Sequence, residues 1–228
     1  VNSSEESSIT VYDMSSSNQN ASKCEFIKIE AWGGGASGSI SKSLSGPSAD
    51  FVMGTLNLTK IPTGKHSIKF KVGKGGTGQD NGINNGEDTT IYLCDTDTTG
   101  TATAADLKNC EVLLVAGGGG NNKIKYEEAI VKNDLLLQPR LKRGYPKQTD
   151  TGFVTEDDKS YAPYLGQEDF YIYSYIDTDA CLTAQDNTMA PKLDNKTTPG
   201  AGGCINSKKK VYQEGADGRV SITCEIWK

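Results

Sequence analysis

The residues best placed to do chemistry are one glycine loop, one histidine, a few paired carboxylates and six cysteines. Gly73-Lys74-Gly75-Gly76-Thr77-Gly78 satisfies G-x-G-x-x-G behind a strand-like run. A dinucleotide site needs a helix next, because the helix N-terminus holds the pyrophosphate. The next residues are Gln79-Asp80-Asn81-Gly82-Ile83-Asn84-Asn85-Gly86, dense in helix breakers, so the loop reads as a turn. Gly64-Lys65-His66-Ser67 fails as a P-loop, since Thr59 stands where the first glycine belongs. His66 is the only histidine, which excludes a His-based metal cluster within one chain. A Ser-His-acid triad would depend on it, and no G-x-S-x-G elbow accompanies it. It falls in phase with Ile68, Phe70 and Val72 and reads as a strand residue near the core edge.

The carboxylates gather in Asp95-Thr96-Asp97 and Asp177-Thr178-Asp179, with Asp80, Glu87 and Asp88 in another polar turn. Oxygen-rich loops can hold calcium, but neither triplet continues into an EF-hand loop. Solvated turns account for them as well. The expectation is no catalytic residue, no cofactor and no metal, calcium being the one ion such loops would suit. Tyr171, Tyr173 and Tyr175 lie on one face of an expected strand, with Tyr161, Pro163 and Tyr164 nearby. Exposed, they would contact glycan or protein; otherwise they pack against a second layer. Asn2, Asn20, Asn57 and Asn195 each head an N-x-S/T triplet, which matters only where secreted proteins are glycosylated.

Cys24, Cys94, Cys110, Cys181, Cys204 and Cys224 form no C-x-x-C pair, and a zinc site is not expected. An even count at wide spacing reads as three disulfides in an oxidising compartment, the alternative being buried free thiols. The local candidates are Cys94–Cys110 and Cys181–Cys204. That leaves Cys24–Cys224 to join the first core strand to the last.

These groups need elements to hold them, and the strongest element signal is strands that run into glycine. Phe26–Trp32 ends in Gly33-Gly34-Gly35, and 68–72 enters Gly73, Gly75, Gly76 and Gly78. Residues 111–116 stop in Gly117-Gly118-Gly119-Gly120, and Gly215 and Gly218 precede 220–227. Glycine permits positive φ and close backbone approach. Clusters at strand ends are therefore architectural. Ile27-Lys28-Ile29-Glu30-Ala31, Leu56-Asn57-Leu58 and 68–72 alternate as half-buried strands do. Thr89–Cys94 is a further strand, and Val112-Leu113-Leu114-Val115 reads as a central strand covered on both faces. Residues 126–137 suggest one short helix before Pro139, 170–176 a strand, and 220–226 a closing strand. Many short strands with glycine-rich turns point to an all-β sandwich or jelly-roll-like domain. Residues 24–228 form that single domain, with an irregular insertion around 121–212. Residues 1–23 are a flexible N-terminal arm or a pairing strand. Its Ile9, Val11, Tyr12 and Met14 are the candidate assembly strand, pairing within or between subunits.

The order of 26–35, then Phe51-Val52-Met53-Gly54-Thr55-Leu56-Asn57-Leu58, then 68–78 and 112–120 resembles the glycine-rich domain of secreted and surface proteins. That domain occurs in bacterial and phage fibre tips and in anaplastic lymphoma kinase-like receptor ectodomains. Its pattern is a strand ending in tryptophan and glycines, a "G-T-L-x-L" strand, a "V-G-x-G-G" turn and an "A-G-G-G-G" turn. Gly215-Ala216-Asp217-Gly218-Arg219-Val220-Ser221-Ile222 resembles its last strand. The resemblance covers 24–120 and 213–227 and implies a glycine-rich β fold in an extracellular setting. The glycine runs are shorter than in many members, which counts against a full bundle of polyglycine helices.

A formal net charge of −5 argues against a general polyanion or nucleic-acid binder, and Lys208-Lys209-Lys210 reads as a solvated run. No apolar stretch approaches the roughly 18 residues of a membrane span. The opening at Val1 fits a chain matured from a signal-bearing precursor, and equally one trimmed without any signal. The expected function is non-enzymatic and extracellular or cell-surface: a structural subunit or tip of a fibre or pilus-like appendage. It would assemble with itself or other appendage subunits through β-strand contacts. The alternatives are a monomeric adhesin, binding host or cell-surface glycan or protein through 121–212, and an enzyme with an unrecognised carboxylate site.

Overall fold

A computed structural model describes residues 9–14, 24–39, 41, 46–62, 64–65, 67–77, 84–95, 107, 109–120, 126–142, 144, 147–149, 152–154, 199–203, 205–206 and 211–225. Its twelve strands are β1 (Ile9–Asp13), β2 (Phe26–Trp32), β3 (Phe51–Asn57), β4 (Ser67–Lys71), β5 (Thr89–Cys94), β6 (Cys110–Ala116), β7 (Leu136–Lys142), β8 (Lys147–Thr149), β9 (Gly152–Val154), β10 (Ile205–Asn206), β11 (Val211–Tyr212) and β12 (Arg219–Glu225). A short α-helix, α1 (Tyr126–Ala129), precedes β7.

The chain is all-β. Two four-stranded antiparallel sheets, β1-β4-β5-β6 and β12-β2-β3-β7, face each other, and β8–β9 and β10–β11 are separate hairpins. In β2 the alternation of the sequence becomes alternation of burial: Ile27, Ile29 and Ala31 are fully buried, while Lys28 and Glu30 lie on the opposite face in an ion pair of 3.0 Å. Ile27, Ile29, Val52 and Leu56 from one sheet pack with Ile68, Ile91, Leu93 and Leu114 from the other in one continuous core.

Two expectations are corrected. Val112-Leu113-Leu114-Val115 belongs to β6, an edge strand among the described residues rather than a central one. The register shifts between Ile91 and Tyr92, which leaves Leu113 as an extra residue, a β-bulge. Through it two consecutive leucines are both buried, which strict alternation forbids. The segment after β6 covers this edge: Ile130 bridges Leu114, and Lys132 pairs with Glu111 at 3.0 Å. The Lys132 ammonium holds the exposed Glu111 carboxyl below its ordinary value, chiefly by hydrogen bonding.

The second correction concerns 126–137. Helix covers only Tyr126–Ala129, and Leu136 starts β7, which pairs with β3 at the edge of the second sheet. Leu136 packs over Gly54, whose missing side chain makes the room. Pro139 is tolerated because an edge strand leaves one row of backbone groups unpaired, and because a bulge opposite Gly54 interrupts the ladder there. The insertion thus contributes a strand to the sandwich.

Candidate functional site

Beyond one end of the sandwich, six core strands continue into short runs of glycine and small residues. The run 33–38 follows β2, 73–76 follows β4 and 117–120 follows β6. The runs 46–50, 84–88 and 213–218 lead into β3, β5 and β12, and 200–203 joins them. Nearly all their backbone hydrogen bonds go to one another.

The run 33–38 is the axis. Gly33 and Ala36 donate to Asp50 and Pro47, at 3.2 and 2.9 Å. Gly34 and Ser37 donate to Glu87 and Asn84, both at 2.9 Å. Gly35 and Gly38 donate to Ala216 and Gln213, at 2.8 and 3.0 Å. The donors thus turn to three neighbours with a repeat of three, the period of a polyproline-II-type helix. Between them, the carbonyls of Gly34, Gly35 and Ala36 accept from Gly119, Gly76 and Gly203 at 2.7–2.8 Å, in the other three directions.

The six outer runs close a ring by the same bonds. Asp50 donates to Gly117, Gly86 to Gly119, Glu87 to Lys74, Gly215 to Gly76, Ala216 to Ala201, and Gly46 to Gly203. Six runs surround a seventh in hexagonal packing, and their directions alternate around the ring. Buried backbone polar groups must be paired, and here the pairing builds a second core without large apolar side chains.

Glycine serves this bundle mostly through close approach. A Cβ on Gly33, Gly34 or Gly35 would lie under 3.0 Å from the backbone of Gly117, Lys74 or Ala201. Only Gly120 and Gly200 among the bundle glycines need positive φ, 81° and 71°. The expectation against a full polyglycine bundle is therefore overturned. Long glycine runs are unnecessary when seven separate parts of the chain each supply four to six residues.

Carboxylates trim the outside. Asp217 accepts from Gly75, Asp88 from Gly118, and the fully buried Asp50 from Gly144, each at 2.8 Å. The loop read as a turn at 73–78 is thus, over 73–76, a bundle run whose N–H groups face Thr89, Glu87 and Asp217 rather than a phosphate. Asp95 pairs with Lys65 at 2.7 Å. Asp217→Ala is expected to cost about 1–3 kcal/mol in urea unfolding, because it orphans the Gly75 N–H, and Asp217→Asn less, because an acceptor remains.

Of the six cysteines, Cys24 is bonded to Cys224 and Cys94 to Cys110. The first bridge spans 200 residues and ties the start of β2 to the end of β12; the second spans 16 and ties β5 to β6. Cys181, Cys204, His66, Asp80, Asp97, Asp177, Asp179, Tyr171, Tyr173 and Tyr175 lie outside the described residues. Asn57 uses its side-chain oxygen to accept from the Thr59 N–H at 3.0 Å, capping a short 3-10 turn.

The candidate assembly strand is β1, and it pairs within the chain. It lies antiparallel along β4, Ile9 opposite Lys71 and Asp13 opposite Ser67, and forms the sheet edge among the described residues. Tyr12 and Met14 pack against the inter-sheet core. Lys69, opposite Val11 in register, was not singled out by sequence reasoning, yet it is fully buried. Strand alternation alone would have placed its ammonium at the surface. Among the described residues no three His, Cys, Asp or Glu side chains gather as metal ligands, and no helix is long and apolar enough to cross a membrane.

No curated protein matches the chain. Residues 13–105 match the model of a family described as a glycine-rich domain. That span carries the last residue of β1, all of β2 through β5, and four of the seven bundle runs, the axial 33–38 among them.

Proposed function

We propose that this protein is a non-enzymatic extracellular structural subunit, part of or at the tip of a surface fibre or pilus-like appendage, that assembles through β-strand contacts. The observation that carries the reading is the seven-run bundle, continuous with six strands of the sandwich. Its glycines stand where a side chain cannot fit, so these positions serve rigidity rather than chemistry. Two disulfides support an oxidising compartment and hence a place outside the cell. The first strand, at a sheet edge, supports assembly by strand pairing.

The test is direct. Purified protein is expected to form polymers visible by negative-stain microscopy, and deletion of residues 1–23 is expected to abolish them. A chain that stays monomeric in light scattering and binds a glycan or cell-surface array is an adhesin instead, and the structural reading then fails.

A further inference from the structure

We propose that β1 is exchangeable: it leaves the β4 edge of its own copy and occupies the same edge of a second copy of this chain. The inference rests on the structural-subunit reading and names the contact that would build it. β4 lies between β1 and β5, so departure of β1 opens a full row of backbone donors and acceptors on β4. It also uncovers Ile68 and Phe70, which stand opposite Tyr12 and Thr10 in register and belong to the core or pack against it. Such an edge is costly to leave open. The segment that fits it best is the one already seated there, and every copy carries it.

Three features make departure cheap for the rest of the molecule. Among the described strands, β1 pairs with β4 alone. The Cys24–Cys224 bond lies between the arm and the body, so sandwich and bundle stay closed when the arm moves. Ser15-Ser16-Ser17-Asn18-Gln19-Asn20-Ala21-Ser22-Lys23, which links Met14 to Cys24, carries no large apolar anchor. Fully extended, such a linker reaches about 30 Å, a span on the scale of one small domain. Donor strand and acceptor edge are different surfaces of each copy. Their exchange is therefore heterologous and continues into an open chain unless geometry closes it.

Two full-length variants test this, one carrying Ile9→Cys and the other Lys71→Cys, positions that are Cα partners in the β1–β4 register. When they are mixed and oxidised, a 9–71 disulfide can form only between copies. Exchange predicts that peptide by mass spectrometry in roughly a hundred-fold excess over a control pairing Ile9→Cys with Lys60→Cys, since seated strands hold the thiols at an effective concentration on the order of millimolar. The Ile9→Cys/Lys71→Cys double variant, locked within one copy, is expected to stay monomeric. Equal yields at 71 and 60, or polymers from the locked variant, overturn the exchange. Filaments without the 9–71 bond leave the structural subunit standing and remove only this contact. A strong 9–71 bond confined to closed dimers supports exchange and removes the fibre.

Discussion

Alanine at Gly35 is expected to destabilise the protein by at least about 3 kcal/mol, the upper range for an overpacked site. The added Cβ would lie under 3.0 Å from the carbonyl of Ala201. Neither backbone can retreat freely. Gly35 donates to Ala216 and accepts from Gly76, while the Ala201 carbonyl accepts from Ala216 at 2.9 Å. Moving either run breaks bonds in a ring where each member is held by its neighbours. Gly64→Ala is the matched control. Gly64 has a φ of 96° with nothing within 4 Å of the added atom, so only the left-handed strain of about 1–2 kcal/mol applies. Urea unfolding of both variants decides the matter: if Gly35→Ala costs no more than Gly64→Ala, the hexagonal packing is wrong. Against a total stability of about 5–15 kcal/mol, the expected loss at Gly35 would lower the yield of folded protein.

Removing the Cys24–Cys224 bridge by paired serine substitution is expected to cost roughly 5 kcal/mol, against roughly 3 kcal/mol for Cys94–Cys110. The difference arises from sequence separations of 200 and 16 residues, because the entropy withheld from the unfolded chain grows with the logarithm of loop length. The longer bridge also closes a fold whose axial run, 33–38, must find partners as distant as 213–218. Chemical denaturation of the two paired variants measures both costs. An equal or reversed order would mean that the denatured chain holds its ends together without the bond.

The sandwich was legible where side chains report burial. β2 and β5 have the bounds their alternation implies, and both bridges described here join the cysteines singled out by spacing. The bundle was not legible, although its glycines were conspicuous. Its partners are backbone groups, identical in every residue, so nothing in the sequence says that Gly35 meets Ala216 or that Ala36 meets Pro47. Ala36, Ser37, Pro47 and Ala201 interrupt the runs without breaking the packing, and that interruption argued the wrong way. The edge position of β6 was hidden by its bulge, which counterfeits the continuous apolar run of a central strand. β7 was misread because Leu135-Leu136-Leu137 fits a helix turn as readily as a strand, and its pairing with β3, with Leu136 over Gly54, is not visible locally. Of the candidate site, Tyr12 and Met14 were visible as an apolar patch, whereas the burial of Lys69 depends on cover that no local pattern encodes.

The Cys24–Cys224 bond has a mechanical consequence. Tension entering through the arm and leaving through the residues after Cys224 crosses one sulfur–sulfur bond and bypasses all that lies between two cysteines 200 positions apart. A pull between those two ends leaves the folded body unstretched. In a chain of copies linked by exchanged arms, the pull instead enters each copy at β4, inside the bridged segment, and runs through the sheets to Cys24, while the five-residue β1 is the contact sheared between copies.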